Sequence, residues 1–506
     1  EPLIERALRI CEKTFGPDHP KMGTLLNNQA SLYYYLGRYE DTEPLYQRAL
    51  EINEKTYGPD HPEVATSLNN LAGLYYSTWR YEEAKSHYQR ALEIREKAFG
   101  PDHPDVGASL NNLALTLDGL KQYEEAESLY QRALTIKEKS LGPDHPDVGT
   151  TLDHQAGLYV KLGRYEEAVS LYRRALEIRE KTLGPAHPDV KRTLNSLADL
   201  YKSLGRYNET ILLYQHAFET GEKILGPLHA HVYEMLNKLA YLYRDVGRGE
   251  EAELLYRHAL NAREEAYGPG HPQVANILNK LALLYENMGR LEEAETLNQR
   301  ALNINEKAFG PDHPEMGVGY NNLALIYESM GRFAEAEALY QRALEITEKA
   351  LGPDHPHLGD CFNNLAWLYE RMGHYGESGV NYQKALAIRE NAFGPRHPIV
   401  GKTLNNMGLL YQSMGRMEDA EAMFKKAIEI REEALGKMHL DVGTTLFNLA
   451  ALLQSIGRNE EAARLYQRVL AIRENALAAN HPDIAAVQKN LSDCSGATQI
   501  ALRGSP

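Results

Sequence analysis

The chain has 506 residues, 43% of them hydrophobic and 25% charged, the balance of a folded protein and not of a disordered one. Its 55 Lys and Arg against 70 Asp and Glu leave a net charge of −15, which argues against a nucleic-acid binder working through a basic face. No apolar run approaches the about 20 residues of a membrane helix, so no membrane insertion is expected. Cys11, Cys361 and Cys494 lie far apart and fit neither a disulfide framework nor a zinc site, so a cytoplasmic, reducing compartment is expected.

Residues 1–14 read as a truncated helix. Glu1-Pro2-Leu3-Ile4-Glu5-Arg6-Ala7-Leu8 aligns with Glu43-Pro44-Leu45-Tyr46-Gln47-Arg48-Ala49-Leu50, so the chain opens inside a repeat and is expected to be part of a longer protein. A Gly-Pro-Asp-His-Pro-like motif then recurs every 42 residues, from Gly16, Gly58 and Gly100 through Gly436, with Ala478 in the twelfth place. A fixed period of this length marks a solenoid, whose core grows along one axis.

Each period holds two helical patterns. Val64, Leu68, Leu71, Ala72 and Tyr75 advance by three and four residues and line one apolar face; Tyr81, Ala84, Tyr88, Ala91, Leu92 and Ile94 line a second. Gly37, Gly163, Gly205 and their equivalents separate the two, supplying a left-handed residue where the first helix ends. Pro62 suits the first turn, where its missing N–H costs nothing. Neither helix can bury its stripe alone, so neighbours must stack.

Small and large residues keep fixed places. Ala30, Ala72, Ala114 and their successors form one column of the first helix, and Tyr33, Tyr75, Tyr159 and theirs form another three residues on. Small side chains let helices approach and the aromatic fills the space beside them. Most of the 32 tyrosines are thereby assigned to the core. Eleven helix pairs are expected over about 20–477, then a polar capping helix over about 482–493 carrying Gln488, Lys489, Asn490 and Ser492, and a disordered tail at 495–506.

The pattern Leu71-Ala72-x-x-Tyr75, a turn, Tyr81-x-x-Ala84 and Tyr88-x-x-Ala91 resembles the tetratricopeptide repeat. The long form with Leu-Asn-Asn-Leu-Ala, Arg-Ala-Leu-Glu-Ile-Arg-Glu-Lys and Gly-Pro-Asp-His-Pro is similar to the repeats of kinesin light chains and nephrocystin-3, and covers essentially the whole of 1–494. The resemblance implies an all-α fold, an α-solenoid built as a right-handed superhelix of helix pairs. It also implies a scaffold or adaptor that binds proteins or linear peptides on a concave face lined by the first helices. Kinesin light chains place a heptad-patterned coiled coil before fewer repeats, and no heptads occur here. A microtubule-motor cargo adaptor, with motor or ciliary partners, is the alternative that the resemblance offers. A regulatory arm of an enzyme or nucleotide switch lying upstream is another.

Two asparagine columns flank the core Leu and Ala of the first helices. Asn69, Asn111, Asn195, Asn237, Asn279, Asn321, Asn363 and Asn405 belong to one, and Asn70, Asn112, Asn322, Asn364 and Asn406 to the next. Asn is a mediocre helix former, so propensity does not account for them. Their amides, which both donate and accept, can bond a peptide backbone whatever its sequence, as the resemblance to kinesin light chains implies, or bridge neighbouring helices. Specificity is expected where repeats differ. Arg192, Lys202, Lys238, Arg244 and Lys280 fall on successive first helices of repeats five to seven and suggest a basic pocket for an acidic peptide, with Glu234 in the same stretch. Trp367 replaces a small or aliphatic residue of its column and is a candidate aromatic anchor, or a packing residue between repeats. Trp79 replaces a turn glycine and reads as a packing variant.

Twelve histidines, His19 to His481, occupy the loop column. Equivalent atoms one repeat apart stand about 10 Å from each other, too far to share a metal held at about 2 Å, so a local role in the turn is expected. No phosphate loop, His-Glu-x-x-His pair or Gly-x-Ser-x-Gly elbow occurs. No catalytic residue, cofactor or metal is therefore assigned.

Overall fold

The computed structural model describes residues 2–477 and 481–503, and among them every regular element is an α-helix. They form two compact units, Glu1–Leu197 and Ala198–Pro506. The first contains α1 (Pro2–Phe15), α2 (Pro20–Tyr35), α3 (Tyr39–Tyr57), α4 (Pro62–Ser77), α5 (Tyr81–Phe99), α6 (Pro104–Gly119), α7 (Tyr123–Leu141), α8 (Pro146–Lys161), α9 (Tyr165–Leu183) and most of α10 (Pro188–Ser203). The second continues with α11 (Tyr207–Leu225), α12 (Ala230–Asp245), α13 (Gly249–Tyr267), α14 (Pro272–Asn287), α15 (Leu291–Phe309), α16 (Pro314–Ser329) and α17 (Phe333–Leu351). It ends with α18 (Pro356–Arg371), α19 (Tyr375–Phe393), α20 (Pro398–Ser413), α21 (Met417–Leu435), α22 (Leu440–Ser455), α23 (Asn459–Ala476) and α24 (Pro482–Arg503). Within each unit, first helices of 16 residues alternate with second helices of 19, broken only by the shorter α1 and α23 and the longer α24. Each unit is a stack of helix pairs, an α-solenoid.

The boundaries follow from local chemistry. Before each first helix the loop histidine is extended, at φ −84° and ψ 144° for His61, and its Nδ1 accepts the N–H of Glu63 at 3.2 Å. The bond recurs from His19 to Lys21 through His481 to Asp483. The imidazole does what Ser or Asp does at other helix starts, satisfying an amide that the first turn leaves unpaired. Several of these rings also stack on the aromatic that closes the preceding helix, as His61 does on Tyr57 (4.6 Å between centroids) and His313 on Phe309 (4.4 Å). The local role expected of the column is what the structure shows.

The turn inside each pair needs one left-handed residue. Gly37 (φ 73°) and Gly163 (φ 74°) supply it, but Trp79 (φ 64°) and Lys121 (φ 62°) adopt the same conformation with a Cβ present. Trp79 is 79% exposed, with its ring against the edge of Tyr81 at 5.9 Å, so it is not the packing residue that the sequence reading expects. Left-handed backbone costs a residue with a Cβ about 1–2 kcal/mol, part of which a glycine returns through its freer unfolded state. Trp79→Gly is therefore expected to raise the midpoint of urea unfolding, by about 1 kcal/mol of stability. A lowered midpoint would mean that the Tyr81 contact outweighs the backbone strain.

The core is the expected alternation of small and large. Ala72, Tyr75, Ala84, Tyr88 and Ala91 are all buried. In the next-to-last pair the column alanine becomes Gly408, where a Cβ would stand 2.6 Å from Phe424 Cε1, so the phenyl ring occupies the space the methyl group vacates.

The packing groups the helices into two units divided within α10. The start of the second unit packs against its end: the Leu440 N–H donates to the Tyr207 hydroxyl at 2.8 Å, and α11 touches α23. Contacts this distant in sequence bind 198–506 into its own unit. The last helix, α24, buries Ile484, Val487 and Cys494 and runs to Arg503. Ala, Gln, Leu and Arg in its last turns are good helix formers and carry it past Gly496. Residues 504–506 lie outside the described residues.

Candidate partner-binding face

The two asparagine columns meet across repeats. Asn112 Nδ2 donates to Asn69 Oδ1 at 3.1 Å, Asn364 to Asn321 at 3.2 Å, Asn406 to Asn363 at 3.2 Å and Asn448 to Asn405 at 3.0 Å. His154 takes the same place on Asn111 at 3.2 Å. Each bond joins one first helix to the first helix of the following repeat. The first column is the deeper: Asn111, Asn279, Asn363 and Asn405 are buried, while Asn69, Asn195, Asn237 and Asn321 are half-buried. In the second column Asn70, Asn112, Asn364 and Asn406 are half-buried and Asn322 is buried. Asn279 is also engaged by Asn298 of α15 at 3.1 Å. The amides thus bridge neighbouring helices. An asparagine has two donor hydrogens and two acceptor lone pairs, so one such bond leaves capacity on each.

The five cations of repeats five to seven are already partnered. Arg192, in the first unit, lies 3.1 Å from Asp189 and 3.5 Å from Asp153. In the second unit Lys202 pairs with Asp199 at 2.7 Å, Lys238 with Glu234 at 3.3 Å and Arg244 with Asp245 at 2.7 Å. Lys280 instead donates to the Tyr241 hydroxyl at 3.0 Å. Tyr241 is exposed and holds two cations against its ring, Arg244 at 4.9 Å and Lys280 at 5.1 Å from the centroid. That aromatic was not singled out from sequence, because most tyrosines of the repeat point inward.

Trp367 is half-buried and packs on the cluster of Ala366, Tyr382 and Leu404. Three residues on, in the column of Arg244, burial holds the Glu370 carboxyl up to about 7, against the pull of its bond from Ser413.

A second column also escaped the sequence reading. Lys137, Arg179, Arg389 and Arg431 of the second helices are buried, and each donates to a Thr of the next first helix: Thr151 (3.0 Å), Thr193, Thr403 (2.6 Å) and Thr445 (2.7 Å). Facing them are Gly107, Gly149, Gly359 and Gly401, where a Cβ would stand 3.0–3.4 Å from the Cγ of the long side chain. The glycine makes room for the stem of the cation. The available signal was that glycine, in the first turn of the helix and against propensity, paired with a basic residue 30 positions on.

In the second unit, closure brings further groups together. Besides the Tyr207 bond to Leu440, the ring of Tyr207 lies 6.2 Å from that of His439, and a Cβ on Gly205 would stand 3.4 Å from Met438 Cβ. A cavity of about 730 Å³ results, lined by α12 on one side and α20, α22 and α24 on the other.

No helix among the described residues is long and apolar enough to cross a membrane. Among curated proteins none matches the chain significantly. Of solved structures, BtubC (BKLC) from P. vanneervenii is 28% identical over 45% of this chain and 91% of its own, with a TM-score of 0.37. A Podosopora anserina kinesin light chain-type protein with nearly identical TPR-like repeats is 26% identical over 41% of this chain and 98% of its own, with a TM-score of 0.35. Yeast Tom70 is 15% identical over 96% of this chain and 98% of its own, with a TM-score of 0.42. The tetratricopeptide repeat model matches in overlapping stretches from residues 1–41 and 21–96 through 375–433 and 441–499. With its helix pairs, small-large columns and 42-residue register, the chain belongs to the tetratricopeptide repeat family.

Proposed function

We propose that this protein-interaction solenoid binds extended segments of partner proteins along the face of its first helices, and does so without catalysis. In the second unit acidic segments are favoured around Tyr241. The observation that carries this reading is the exposed Tyr241 ring between Arg244 and Lys280, with Lys238 on the same helix. Among the described residues the hydrogen bond of Lys280 goes to a neutral oxygen, so an incoming carboxylate gains a charge-assisted bond there without breaking an ion pair. The half-buried amides of Asn364 and Asn406, with Asn70 and Asn112 in the first unit, supply bonds to peptide backbone, and Trp367 an apolar contact.

A peptide display screen against the full chain, repeated with the Lys238→Glu and Lys280→Glu double variant, tests this. Acidic peptides are expected to enrich on the natural protein with dissociation constants of about micromolar order, because ordering a free segment offsets part of the contact energy. They are expected to be lost on the variant. Enrichment of the same peptides on both proteins, or of none on either, would remove the reading.

A further inference from the structure

We propose that the cavity of the second unit is a binding site for a phosphate group, seated on Lys402 of α20 and Arg431 of α21. At about 730 Å³ the cavity falls within the size range of small-ligand sites, about 300–1,000 Å³.

Its charge is not balanced. Five cationic side chains line it against three anionic ones, Asp245, Asp441 and Asp483. Lys202 is neutralised by Asp199 and Arg244 by Asp245, each at 2.7 Å, and Arg473 lies 3.9 Å from Asp483. Lys402 and Arg431 are different. Arg431 is 5% exposed, and its Nη1 bonds only neutral oxygens, the Asp441 carbonyl at 2.8 Å and the Thr445 hydroxyl at 2.7 Å. Its buried Nε–H has no partner among the described residues. Lys402 is exposed and lines the cavity, and desolvation with Arg389 and Arg431 nearby lowers the affinity of its amine for a proton against the pull of Asp360 and Asp441. A buried guanidinium hydrogen-bonded to neutral oxygens is unfavourable, and an anion that brings oxygens to Arg431 and to the exposed Lys402 relieves it.

With Lys202 held by Asp199, Lys402 and Arg431 face one lining carboxylate, Asp441, and the surplus of one charge suits a phosphate group that reaches both cations. The available donors suit it: a guanidinium N–H, an ammonium, and the amides of Asn405 and Asn406 on the same wall. A run of carboxylates is a poorer fit, since an extended strand spaces successive residues about 3.3 Å apart and would carry its charges past Asp245, Asp441 and Asp483. The site shares Lys202, Arg244 and the two amides with the peptide-binding reading but does not rest on it, because phosphate can bind with no peptide present.

The full chain is titrated calorimetrically with inorganic phosphate and with an O-phosphoserine tripeptide, against chloride at matched ionic strength. Saturable binding of at least one probe is expected, about tenfold weaker in Lys402→Gln (about 1.4 kcal/mol), absent in Lys402→Glu and restored in Lys402→Arg. Tighter binding of the tripeptide would identify a phosphorylated protein segment as the ligand, and equal or tighter binding of phosphate a free phosphate. Unchanged circular dichroism of the variants shows that they fold. No binding of either probe beyond the chloride control, or binding that survives Lys402→Glu, would overturn the proposal. Loss of phosphate binding with peptide enrichment intact, or the converse, separates this site from the peptide face.

Discussion

Arg179→Met is expected to destabilise the first unit by about 3–5 kcal/mol, the range for removing one partner of a buried ion pair. Arg179 is 1% exposed. Its guanidinium bonds the Thr193 hydroxyl, lies 3.1 Å from Asp153 Oδ1 and reaches Thr150 at 3.3 Å. Asp153 is itself buried, and its remaining neighbours are the Thr193 hydroxyl at 2.7 Å and the more exposed Arg192 at 3.5 Å. Methionine fills much of the volume of the arginine stem, so the loss is electrostatic: a carboxylate stays in a dry interior with the longer ion pair to the more exposed Arg192. Pairing the change with Asp153→Asn removes that charge, and the double variant is expected to recover most of the loss. Hydrogen exchange of the α8 and α9 amides reads the effect locally, which suits a repeat array where each pair is stabilised by its neighbours. If Arg179→Met alone leaves exchange unchanged, the pair carries no stability.

The repeat, its helix pairs and its small-large columns could be read from one chain because the same contact is written many times over. Ala72 beside Tyr75 is uninformative, but the recurrence of that spacing from Ala30 to Ala450 leaves the core as its simplest explanation. Buried charge was not legible in this way: Arg179, Arg389 and Arg431 sit in a stretch rich in Glu and Lys, and their burial is decided across the pair by Gly149, Gly359 and Gly401. The candidate basic cluster also changed character: the residues were rightly found on successive first helices, but the acids that pair with Lys202, Lys238 and Arg244 lie one to four positions away along the same helices. Closure of the second unit was out of reach altogether. Periodicity reports nearest neighbours, and the contact of Tyr207 with Leu440 depends on how small rotations between many pairs accumulate.

Glu370→Gln is expected to stabilise the second unit by about 2–3 kcal/mol above about pH 7, and hardly at all at about pH 4.5. Burial raises the Glu370 carboxyl to about 7 from an ordinary value of 4.5, and one of its oxygens, Oε2, is buried without a hydrogen-bond partner among the described residues. Below about pH 4.5 the group is neutral in both folded and unfolded chains and costs nothing. As pH rises towards 7 the unfolded chain ionises while the folded one holds its proton, so the stability present in acid is progressively lost. Above that range the native carboxylate is charged in an apolar setting beside the buried hydroxyl of Tyr382. The neutral amide is the solution the chain already uses two repeats later, where Gln454 accepts the Tyr466 hydroxyl at 3.0 Å. Urea unfolding of both proteins at about pH 4.5 and about pH 8 decides the matter. A gain confined to the higher pH locates the cost in ionisation of Glu370. An equal gain at both would assign it to packing of the amide, and the raised carboxyl would then play no part.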